Sequence, residues 1–74
     1  MDRATIERNL AEAEQHVARG EKNIANQRRV LENLLRDGHD STEAEQLLTT
    51  FLNTQDLHIE HRNHWRAELA RVSE

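Results

Sequence analysis

Leu10–Val30 reads LAEAEQH-VARGEKN-IANQRRV, three sevens that each open on a large apolar residue, two of them followed at once by alanine and the third, Leu10, likewise followed by Ala11. Extended in both directions, this frame becomes a stripe of Ile6, Leu10, Ala13, Val17, Gly20, Ile24, Gln27, Leu31 and Leu34, spaced four and three without an error. Such spacing puts every member on one side of an α-helix, and a stripe sustained this long is a coiled-coil seam. A second stripe follows: Ala44, Leu48, Phe51, Gln55, His58, Arg62, Trp65, Leu69 and Val72. Two long helices of this kind are built to zip together.

The break between them is Asp37-Gly38-His39-Asp40-Ser41-Thr42. Gly38 suits the left-handed conformation that ends a helix, and Arg36 sits well in the last turn. Asp40 with Glu43 offers a capping-box-like start, and Thr42 with Glu45 a competing frame. Asp2 is the expected cap of the first helix. The expected organisation is one domain over residues 1–74, with a helix at about 2–37, a turn at about 38–41 and a helix at about 42–72. A connection this short makes the helices antiparallel, each roughly 50 Å long. The fold class is thus all-α, an antiparallel two-helix coiled-coil hairpin.

Folding about Gly38–Asp40 sets residues opposite when their numbers sum to roughly 77–80. Trp65 then lies against Ala13, Gly20 against His58 and Ile59, and Ile6 against Val72. Val30 meets Leu47, Asn23 meets Thr54, His16 meets His61, and Glu14 reaches Arg66.

Composition narrows the function classes. With 74 residues, no proline and two glycines, the chain is one small helical domain. It has no cysteine, so thiolate metal sites, disulfides and cysteine nucleophiles are excluded. One Phe and one Trp leave little for base stacking, and a net charge of −4 argues against a dedicated nucleic-acid binder. The N-terminus lacks an apolar signal segment and no run is long enough to span a membrane, so a cytoplasmic location is expected. There is no phosphate-binding loop and no nucleophile beside a base, and the expected reading is non-enzymatic.

Three constellations remain. Alanines at 4, 11, 18 and 25 form a small-residue stripe beside the first seam. Leu35, Leu52 and Ile59 extend the apolar surface towards that side, so Ala11, Ala18, Ala25, Leu35, Leu52 and Ile59 are the expected oligomer interface of a homodimeric four-helix bundle. Gln27, Gln55, His58 and Arg62 interrupt the seams and read as a polar layer that fixes register at a cost in stability. Finally, His16, His58 and His61 gather three imidazoles from two helices. They are candidate ligands for a divalent transition metal, with Glu12 beside them, or a cluster that repels itself once protonated near the ordinary histidine pKa of ~6.5. No cofactor is otherwise implied.

Gly20-Glu21…Ile24…Gln27, Asp37-Gly38-His39-Asp40 with Glu43-Ala44-Glu45, and Leu57-His58 resemble short uncharacterised bacterial proteins with a two-helix pattern. That resemblance implies a helical hairpin and no known activity. In architecture alone the chain also looks like the dimeric hairpin that regulates plasmid copy number by binding RNA. Such Rop-like binding would need Arg19, Arg28, Arg29 and Arg62 gathered on one face of a dimer. The leading expectation is a protein–protein interaction or oligomerisation module, whose partners are a second copy and an unidentified protein.

Overall fold

The computed structural model describes residues 1–73. It is a hairpin of two helices, α1 (Arg3–Arg36) and α2 (Thr42–Val72), packed side by side in a body of 56 × 15 × 14 Å. The ends of each helix follow from local chemistry. Asp2 Oδ1 accepts from the Thr5 backbone N–H at 2.8 Å and caps α1. The Thr5 hydroxyl and then its N–H favour the charged form, and so hold the Asp2 carboxyl below its ordinary pKa.

α1 ends in a Schellman turn. The His39 N–H bonds the Leu34 carbonyl at 2.9 Å and the Gly38 N–H bonds the Leu35 carbonyl at 3.2 Å. Gly38 carries a φ of +74°, the left-handed conformation the turn demands and the one an L side chain resists. The start of α2 differs from both expected capping frames. Asp40 Oδ1 accepts from the Thr42 N–H at 3.0 Å and from its hydroxyl at 2.8 Å, while Ser41, the residue at the cap position, makes no side-chain cap bond. A two-residue Asx turn has taken the place of a capping box, since Asp40 reaches the first free N–H directly. These bonds, the N–H first, lower the Asp40 pKa.

All nine seam positions of α1 are buried or half-buried, as are eight of the nine on α2. Ile6 is the most enclosed, at 1% exposure. Val72 is the exception at 36%. The reason is register. Gln55 lies over Gly20, so facing seam residues have numbers summing to about 75, below the expected 77–80. Ile6 is therefore level with Leu69, and Val72 runs past the end of the seam. The Schellman turn stops the chain's climb along the α1 axis at Gly38 and His39, and at this register Thr42 is level with Asn33, so α1 overhangs the start of α2 by about one turn.

Candidate functional site

The centre of the hairpin holds two buried glutamines, 8% exposed at Gln27 and 7% at Gln55. Each sends its amide to the backbone of the opposite helix. Gln27 Nε2 donates to the Ala44 carbonyl at 3.1 Å, and Gln55 Nε2 donates to the Val17 carbonyl at 2.9 Å. Both carbonyls lie within helices, so each amide uses a second lone pair and no helical bond need be broken. The two clasps lie about three turns apart along the bundle and point from opposite helices.

Gly20 makes the second clasp possible. A Cβ at this position would stand 1.8 Å from Gln55 Oε1 and 2.6 Å from its Cδ, so only glycine admits the amide. The sequence reading sets Gly20 against His58 and Ile59; the register shift puts Gln55 there instead. Gln55 Oε1 is buried without a conventional hydrogen-bond partner among the described residues. It stands no more than about 3.3 Å from Gly20 Cα once a ~1.5 Å carbon–carbon bond is added, the short end of a weak Cα–H···O contact. Glycine thus supplies the space for the amide and brings its own Cα–H up to an oxygen that has no conventional donor among the described residues. The signal available in the sequence was a lone glycine in the seam of an otherwise glycine-free 34-residue helix.

The other two members of the expected polar layer, His58 and Arg62, are half-buried and do not join the glutamines. Arg62 donates to Asn63 Oδ1 at 3.3 and 3.4 Å and shares a shallow groove with Glu14, Glu21 and Arg66. His58 turns to the broad face opposite that groove and meets His16, ring centroids 5.3 Å apart and tilted by 47°. The pair borders a cavity of about 230 Å³ that Arg19, Asn23, Phe51 and Thr54 also line, so Asn23 and Thr54 share one cavity.

His61 lies further along, with His16, Glu12, Ala13 and Trp65 around a second cavity of about 360 Å³. Ala13 and Trp65 do share a site, and the Trp65 indole meets His64 edge-on at 4.8 Å. Among the described residues no group of three or more His, Asp or Glu side chains converges as a metal-holding set. The structure brings His16 to His58 and leaves His61 on the far side of His16.

The broad face opposite the histidines carries the residues expected at an oligomer interface. Ala11, Ala18 and Ala25 are exposed, Leu35 is 58% and Leu52 38% exposed, and Ile59 is half-buried. Ile24, Ala25, Leu52 and Ile59 line a shallow groove of about 370 Å³ whose charged rim is Glu21 and Arg28. Leu35 lies apart, near the turn. Glu14 and Arg66 border the adjoining groove on the same face but form no ion pair among the described residues. The arginines are dispersed: Arg19 is on the histidine face, Arg28 and Arg62 on the other. Val30 and Leu47, at 46% and 43% exposure, mark the turn end of the histidine face. No helix is long and apolar enough to cross a membrane.

Compared with models of protein families, with curated proteins and with solved structures, the chain matches none.

Proposed function

We propose that the chain is a non-enzymatic helical-hairpin module of the cytoplasm that pairs into a four-helix bundle and works by holding a protein partner. One observation carries this reading: the groove of Ile24, Ala25, Leu52 and Ile59, open to solvent on a face flanked by alanines. Apolar side chains at regular spacing on an uncovered face are what a second helical layer buries. Glu21 and Arg28 stand at the edge of this groove, the pattern of an interface margin. Light scattering during size exclusion, at micromolar concentration, tests the pairing. A mass near twice 8.7 kDa is the expected result, and the mass of one fully helical chain would end the proposal.

The contact between His16 and His58 favours a second reading, a protein that responds to a divalent metal or to pH. Two imidazoles across the hairpin, with His61 beyond His16 and Glu12 beside it, would supply ligands if the side chains closed on an ion. Isothermal titration of zinc into the metal-free protein tests it. Stoichiometric binding that His16→Ala abolishes supports the reading, and its absence removes it.

A further inference from the structure

The open face of α2 has a palindromic chemistry. Every seventh residue along it is Glu45, Leu52, Ile59 and Arg66. Reversed end for end, the row reads basic, apolar, apolar, acidic, the complement of itself. We infer that the partner on this face is a second copy of the chain, related by a two-fold axis that crosses α2 near Gln55 and Asp56, with α2 antiparallel to α2 of the other copy. This inference rests on the self-association proposed above and fixes its geometry.

In that arrangement Leu52 packs on Ile59 of the second copy and Glu45 pairs with its Arg66, each twice by symmetry. The ion pairs stand about 32 Å apart, at the two ends of the apolar centre, given ~1.5 Å per residue. Both charges are available. Arg66 has no ion-pair partner in the hairpin among the described residues, and Glu45 accepts only a 3.4 Å bond from the Ser41 hydroxyl.

α1 supplies an independent test of the axis. The register of the hairpin puts the same two-fold at the level between Arg19 and Gly20, so facing α1 residues have numbers summing to about 39. Ala25 then faces Glu14, Ala18 faces Glu21, Ala11 faces Arg28 and Ala4 faces Leu35. Each member of the alanine stripe meets a long side chain, and large opposes small along the whole pair. The α1 and α2 rows thus agree on one axis. The face measures roughly 56 by 15 Å, close to the ~800 Å² a standard interface takes from each partner. Two like charges meet near the axis: Asp56 is almost level with its own copy, and Glu21 lies about 4.5 Å along the helix from its own.

Charge exchange decides the matter. Glu45→Arg, Arg66→Glu, the double variant and an equimolar mixture of the two single variants are compared with the wild type by sedimentation equilibrium, with circular dichroism to check helicity. Each single variant sets like charges at both ends and is expected to weaken the dimer at least tenfold. The double variant keeps the net charge and restores every pair, so its affinity returns to within a few-fold of wild type. The mixture restores association too, as heterodimers. A dimeric wild type whose double variant stays dissociated, or whose single variants associate normally, overturns the antiparallel geometry while leaving self-association intact. A monomeric wild type overturns both.

Discussion

Replacing Gly20 with alanine should separate a socket from a mere defect in a helix. In an ordinary helix interior Gly→Ala stabilises by about 1 kcal/mol, because glycine has more backbone freedom to lose. Here the new methyl would stand 1.8 Å from the Gln55 amide oxygen, and the amide must leave. Its hydrogen bond to the Val17 carbonyl goes with it, a loss of about 1 kcal/mol, and the packing of the displaced side chain adds about as much again. Set against the propensity gain, Gly20→Ala should destabilise by about 1 kcal/mol, a fall of roughly 4–8 °C in Tm for a chain this short. With Gln55→Ala already in place the socket is empty, and Gly20→Ala should stabilise by about 1 kcal/mol. The cycle therefore predicts a coupling of about 2 kcal/mol. Urea denaturation followed by circular dichroism, at one fixed protein concentration, measures all four corners. If Gly20→Ala stabilises equally in both backgrounds, the amide does not occupy the socket and the register is wrong.

Other outcomes follow from the same geometry. Gly38→Ala should cost about 1 kcal/mol in thermal unfolding, because its φ of +74° is held by the Schellman bonds; an unchanged Tm would mean the turn can be rebuilt without it. Ala13→Leu should destabilise by about 1–3 kcal/mol in chemical denaturation, since Ala13 is 5% exposed and borders Trp65; a neutral result would show that the indole points away. Asp2 and Asp40 have lowered folded-state pKa values, so their stabilisation is complete above the ordinary 3.8 and is lost as pH falls through the lowered values. Asp2→Asn with Asp40→Asn should therefore lower the Tm at pH 7 and flatten its acid-side decline; parallel Tm curves for variant and wild type would refute the capping roles.

The two helices and their turn were legible because the four-three spacing and the glycine at 38 are local signals, each forced by backbone geometry. Register was less legible. The sequence shows where a turn falls but not how the helices slide past each other beyond it, and the pairing of Gln55 with Gly20 lies several residues from the one a minimal turn implies. Seam burial survived that shift everywhere but at Val72, because seam residues away from the ends still met seam residues, whereas particular partners changed, Gly20 most of all. The histidines show the same limit. His16 and His61 share a cavity as expected, but whether three rings converge depends on rotamers and on the lateral offset of the helices, which spacing does not encode. The alanine stripe and Leu52 were readable as an exposed face because exposure follows from the angle around the helix alone.

The position of the Gln55–Gly20 lock, some 27 Å along α1 from Gly38 at ~1.5 Å per residue, separates alignment from connection. A seven-residue slip would keep apolar residues largely facing apolar ones but would bring Gln55 over Ala13 or Gln27, where a Cβ stands in its way. The helices consequently carry their own vernier, and the link between them need only be long enough to let them meet. Cut open at His39, the hairpin would become two strands of a heterodimer that can assemble in a single alignment. Its ends could then be rejoined on the other side, making a circular permutant whose two helices are still aligned by Gly20.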